Sequence, residues 1–247
     1  MPARPFVLLP PSQSKTVGGV ARRAGGVFNE SLAAHRSEVV SALTKMLDAP
    51  EAVARLTGAR GALLERAECS FAQVIDGSAK LLPTWRRYDG VVWRHLDAVS
   101  IASAHRKRLL VPSALYGITG GADLIADYRL TFGARIEGVG RLDDFWRDAV
   151  TEVVSGSVGA GTVVDVLPTE HRRAIDWVRL RASTSVITVR FEHAGGTRAA
   201  GHDAKAVKGV LARALLVDGV TALDTFAWGH WRCVARDDTV AVVQYLG

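Results

Sequence analysis

The tripeptide Ser14-Lys15-Thr16 places two hydroxyls and an ammonium directly behind a short apolar run, residues 5–9, and the proline pair Pro10-Pro11. Hydroxyls and an ammonium at the end of a strand can hold a phosphate, although a solvated turn has the same composition. No Gly-Lys-Ser/Thr cradle is present, and no Gly-x-Gly-x-x-Gly follows a strand, so neither nucleotide fingerprint applies. Further on, Leu115-Tyr116-Gly117-Ile118-Thr119-Gly120-Gly121-Ala122-Asp123-Leu124 reads as a hydrophobic pair, a glycine hairpin and a helix starting at Asp123. That order is similar to the hairpin of helix-hairpin-helix DNA-binding modules, in which glycine lets backbone N–H groups approach phosphates and the next helix adds its dipole. An ordinary turn between packed elements would read the same way. Asp127-Tyr128-Arg129 follows, where Arg129 could clamp a phosphate or stack on a base, or form a buried ion pair. Finally, Lys205 and Lys208 lie three apart on one helical face with Arg213 beyond them, and Gly209 leaves room for a ligand or another backbone. Such a face lines a cleft or meets solvent.

Other chemistries find less support. A Gly-x-Ser-x-Gly elbow is missing, and the seven histidines are scattered without a His-x-x-x-His pair. Cys69 and Cys233 stand far apart without metal-ligand partners, so they read as reduced core thiols. No metal and no cofactor is expected. Iron storage in particular lacks the carboxylate–histidine helix motif it needs.

The elements that must position these groups alternate. Residues 5–9 read as a buried strand. Apolar residues at helical spacing predict helices over 29–47 and from Pro50 to about Glu68, with another over 91–104. A strand is expected at 108–112, then a helix at 143–154, a strand at 162–167, a helix from Thr169, a strand at 185–192 and a helix at 203–217. Two closing strands, 228–235 and 240–245, complete an α/β pattern with an antiparallel finish. No repeat or linker divides the chain, which predicts one mixed α/β domain over residues 1–247.

Composition bounds the function. The 247 residues are 48% hydrophobic and 23% charged, as in soluble globular proteins, and no apolar run is long enough for a membrane span or a signal peptide, which predicts a cytoplasmic protein. Thirty-one Lys and Arg against 25 Asp and Glu give +6. Four basic residues, Arg4, Lys15, Arg22 and Arg23, precede the first acidic one, and with Arg198, Lys205, Lys208 and Arg213 they suggest an anion site.

Six segments in order, Leu8-Leu9-Pro10-Pro11-Ser12-Gln13-Ser14-Lys15-Thr16, Tyr88-Asp89-Gly90-Val91-Val92-Trp93, Ser113-Ala114-Leu115-Tyr116-Gly117, Asp127-Tyr128-Arg129-Leu130 with Gly133, Phe145-Trp146, and Lys205 through Arg213, give a pattern that resembles the YaaA family of bacterial peroxide-stress proteins. The resemblance implies a compact α/β fold with a helix-hairpin-helix-like element and a positively charged cleft, binding of double-stranded DNA, and a role in lowering unincorporated iron during peroxide stress. Two functions are therefore expected. In one, a basic surface formed by Lys15, Arg129, Lys205, Lys208 and Arg213 grips DNA phosphates without sequence preference, with Gly117 at close approach. In the other, Ser14, Lys15, Tyr116, Arg129 and Lys205 converge on a nucleotide or nucleobase as an enzyme's pocket.

Overall fold

The computed structural model describes residues 4–21, 25–47, 49 and 51–247. Arg22 and Arg23 of the N-terminal basic run, and Pro50 at the expected start of the second helix, lie outside the described residues.

Among the described residues twelve strands form: β1 Phe6–Leu8, β2 Leu82–Pro83, β3 Leu109–Ser113, β4 Gly117–Gly120, β5 Leu124–Ile125, β6 Arg135–Ile136, β7 Gly140–Arg141, β8 Thr162–Asp165, β9 Ser185–His193, β10 Ala227–Trp228, β11 Trp231–Arg236 and β12 Val240–Tyr245. The helices are α1 Ala33–Leu47, α2 Ala52–Thr57, α3 Ala62–Ile75, α4 Thr84–Arg87, α5 Val91–Leu96, α6 Ser103–Arg106, α7 Leu142–Val158, α8 Thr169–Arg172, α9 Trp177–Ser183 and α10 Gly201–Asp218. Eight strands build one mixed sheet in the order β10-β11-β12-β9-β8-β1-β3-β4. Its middle, β12-β9-β8-β1-β3, is parallel, and antiparallel pairs close both edges.

Helices cover both faces, so the central strands are apolar on both sides. Leu8, Leu110, Val163 and Val186 face a core shared with α1, α3 and α7. Their neighbours Val7, Leu9, Leu109, Val111, Val164 and Ile187 face a second core shared with α5 and α10. The alternation follows from the two-residue period of a strand.

Several local expectations are corrected. The helix expected from Pro50 to Glu68 breaks into α2 and α3, because Gly58 and Gly61 both hold positive φ, 64° and 54°. The helix expected over 91–104 ends at Leu96, where Asp97 turns left-handed at φ 46°, and resumes as a short 3-10 turn and α6. The glycine hairpin of residues 115–124 is sheet: Gly117–Gly120 pairs antiparallel with β3 as β4, and Leu124–Ile125 pairs with β2. No helix starts at Asp123. Its buried carboxylate accepts instead from the N–H groups of Gly120, at 2.8 Å, and Val27, at 3.0 Å. Cys69 is exposed on α3 rather than in a core, and Cys233 is half-buried on β11.

Candidate functional site

β1 lies between β8 and β3, and the chain winds to opposite sides of it. A crevice opens beyond the carboxyl ends of parallel strands at such a switch point, because the two following segments diverge. Residues Pro10 to Lys15 leave β1 and Pro168 to His171 follow β8, and the two line a cavity of about 920 Å³. α5 and α10 supply further wall, Arg94 and Trp93 from the one, Lys205 and Lys208 from the other. Six basic residues (Lys15, Arg94, Arg141, Arg173, Lys205, Lys208) and three acidic ones (Asp89, Asp143, Glu170) line it. Arg141 and Asp143 neutralise one another through a two-point ion pair at 2.6 and 3.0 Å.

Lys15 is held by backbone and ring. The carbonyl of Ser14 accepts from Asp89 N–H at 3.0 Å, and Thr16 N–H donates to Arg87 O at 2.8 Å, so the loop runs as a bridge beside Tyr88. The Arg87 side chain is wholly buried, and its guanidinium donates to the carbonyls of Thr16, Gly18, Lys80 and Ile125. That ties the chain after Lys15 to β2 and β5. Lys15 Nζ donates to Ser12 O at 3.0 Å and stands 4.2 Å above the Tyr128 ring and 5.4 Å from that of Tyr88. Burial pulls its pKa down to about 7; Asp127 opposes this, while Arg129, Arg66 and Arg87 reinforce it. Beneath it the Tyr128 hydroxyl links Tyr88, at 2.8 Å, to Ser113, at 2.7 Å. Burial lifts the Tyr128 phenol to about 12 and raises that of Tyr88 as well, so both remain protonated. At Gly90 a Cβ would lie 2.4 Å from Ser12 Oγ, so a larger residue would turn that hydroxyl aside.

The opposite wall rests on an ion pair. Arg172 binds the buried Asp165 at the end of β8 and stacks on Trp177 at 4.2 Å, which seats the short helix α8 over the sheet. His171 of α8 meets Phe132 edge-on at 6.0 Å. Burial draws its pKa down to about 4, with Glu170 opposing and Lys208 reinforcing the shift. Lys208 has its Nζ 5.1 Å from the Phe191 ring and its pKa lowered to about 8, by burial first and by Arg198 and Lys205 after it.

The expected site residues divide. Ser14, Lys15, Lys205 and Lys208 line the one cavity, and Arg129 lines a smaller adjoining pocket of about 190 Å³ that shares Ser14 and Lys15 with it. Tyr116, Gly117 and Arg213 lie outside both. The Tyr116 hydroxyl accepts from Ala126 N–H at 3.0 Å. Gly117, at φ 75°, is pressed against Trp146, whose ring a Cβ would meet at 2.6 Å, so its close approach is to core and not to phosphate. Arg213 donates to Asp97 O and Ser100 Oγ at 3.1 and 2.6 Å, fastening α10 to the 3-10 turn. Gly209 admits a backbone as expected, that of α5, where a Cβ would lie 2.2 Å from Val92 O. Asp127 pairs with Arg66 rather than with Arg129. Sequence reading missed Ser12, Tyr88, His171 and Arg173; the polar run Thr169-Glu170-His171-Arg172-Arg173 directly behind a strand is the signal that could have found the last two.

Among the described residues no group of three His, Cys, Asp or Glu could hold a metal ion, and no helix is long and apolar enough to cross a membrane. A UPF0246 protein of Streptomyces coelicolor is 31% identical over 226 residues, 87% of this chain and 84% of the relative. One of Corynebacterium efficiens is 28% identical over 85% of this chain and 84% of its own. The sequence profile described as peroxide stress protein YaaA matches residues 6–233, nearly from the first strand to the last hairpin, and so the chain belongs to the YaaA family of peroxide stress proteins.

Proposed function

We propose that this peroxide stress protein takes a phosphate-bearing ligand of nucleotide size into the cavity beyond β1 and β8. The observation that carries the reading is the cavity itself: about 920 Å³, with Lys15 at its floor and Lys205 and Lys208 on its wall. Pockets for small ligands run to roughly 300–1,000 Å³, with a few polar groups converging from several elements. An anion there meets a cationic excess, and beside the buried Lys15 each contact counts for more than on the surface.

Duplex DNA is the second reading, and the exposed rim supports it. Arg94, Arg173, Arg198 and Lys205 are exposed around the mouth, and Arg198 reaches Thr169 Oγ1 at 2.7 Å. Those cations could engage backbone phosphates without reading bases. In either reading the lowering of unincorporated iron is indirect and follows from what the cavity or rim binds.

Titration with a nucleotide panel and with a duplex, each at several salt concentrations, separates the two. Engagement of four rim cations predicts a slope of log affinity against log salt of roughly −3.6, at about −0.9 per phosphate neutralised. The cavity reading expects nucleotide binding with a much shallower slope, abolished by Lys208→Ala. Steep duplex binding without nucleotide binding would replace it with the rim reading.

A further inference from the structure

Lys15 sits where two pockets meet. The main cavity and the smaller one of about 190 Å³ share Gln13, Ser14, Lys15 and Tyr128, and the smaller is walled further by Arg66, Ser70 and Arg129. Arg66 is committed, donating to Asp127 Oδ2 and to Lys15 O. Arg129 is not: its Nε is buried and has no hydrogen-bond partner among the described residues. A buried guanidinium N–H left open asks for an acceptor, and a phosphate oxygen is the acceptor that suits it. The Lys15 residue is 6% exposed, and of its three possible donor directions one is taken, by Ser12 O. Aromatic faces border it on the other sides, and Asp127, the carboxylate that acts on it, is occupied by Arg66. An amine among rings and cations, with no carboxylate bound to it among the described residues, is set up to react as an amine.

We propose that Lys15 is a nucleophile toward carbonyl carbon, forming an imine with an aldehyde or ketone whose phosphate rests against Arg129 in the smaller pocket. The proposal depends on the phosphate-bearing ligand inferred above and adds the group that reacts with it. With its pKa near 7, about half of the amine is free at neutral pH. The nitrogen lone pair forms the C–N bond as the C=O pair moves to oxygen, which gains the proton that nitrogen releases. That hydroxyl then leaves with one further proton as water, the nitrogen lone pair closes the C=N bond, and a protonated imine remains. Oxidant and reductant are not required. The phosphorylated carbonyl can come from a free sugar phosphate or from an abasic site in single-stranded DNA.

Reductive trapping tests this on the whole chain. Wild-type protein is incubated with a triose phosphate, or with a single-stranded oligonucleotide bearing one abasic site, in the presence of cyanoborohydride, whose hydride fixes the imine as a secondary amine; peptides are then mapped by mass spectrometry. The adduct is expected on Lys15, with the reacting probe identifying the source. Unphosphorylated glyceraldehyde should trap less, and Arg129→Gln should erase that difference. Lys15→Arg should lose the adduct. An adduct spread over exposed lysines such as Lys45 and Lys107, with Lys15 untouched in the wild-type protein, overturns the proposal without reference to any variant. Binding of inorganic phosphate, measured in parallel by calorimetry, keeps the two ideas apart. If phosphate binds and Lys15 is not trapped, only the nucleophile falls; if phosphate does not bind, the ligand reading falls with it.

Discussion

His171 makes the cavity wall sensitive to acid. Its imidazole is buried with a pKa near 4, whereas an unfolded histidine titrates near 6.5. Between those values the unfolded chain binds the proton and the folded chain does not, so the stabilisation present above pH 6.5 is lost as the pH falls toward 4. The shift corresponds to something on the order of 3 kcal/mol. Denaturant midpoints measured from pH 4 to 7 should drop steeply in the wild-type protein and flatten in His171→Gln; equal slopes would mean the ring is accessible to protons in the folded state. Lys15 acts in the same direction in a higher window. Its folded pKa near 7 lies below the unfolded value, so its share of stability grows as pH rises from 7 to about 10.4. These two shifts were not legible in the sequence, because neither Lys15 nor His171 has a neighbour in the chain that causes them; burial by Tyr128 and Phe132, from a distant segment, does.

At the scale of elements, two glycines divide fold from site. Gly117 sits on β4 against the Trp146 ring with φ 75°, so Gly117→Val combines an overlap with a backbone conformation that a β-branched residue resists. Gly209 lies on α10 against the backbone of α5, the two helices that form one wall, so Gly209→Ala must push α10 away. Both should lose about 1–3 kcal/mol or more in thermal or denaturant unfolding. Only Gly209→Ala should also weaken ligand binding in protein that remains folded; if Gly117→Val weakened it equally, the division would be wrong. The strand at 185–192 and the helices at 143–154 and 203–217 were legible because their apolar periods are long, and the strand at 108–112 because a short apolar run ends at a proline. Segment 115–124 was not. Its glycines suit a hairpin of either kind, and what decides for strand is the ladder to β3, a partner no local pattern specifies.

For the whole molecule, the proposed function makes the cationic wall the link between structure and physiology. Lys205→Ala combined with Lys208→Ala should fold normally, since Lys205 is exposed and neither lysine makes an ion pair among the described residues, yet behave in cells like a deletion. A strain carrying it should show raised free iron and peroxide sensitivity that an iron chelator relieves. Full protection by the double variant would show the helix to be an ordinary solvated face. The placement of β1 has a consequence of another kind. Its partners are strands β3 and β8, and the wall that faces its loop comes from α10, which ends at Asp218. Chains emerge from the ribosome N-terminus first, and pairing between distant segments waits until both exist. The rings and charges that surround Lys15 lie between Arg66 and Arg129, so they are made before α10, and a product cut short before α10 carries the amine without the cationic wall across the cavity. On the reading proposed above, the cavity is walled on all its sides only once α10 has been made.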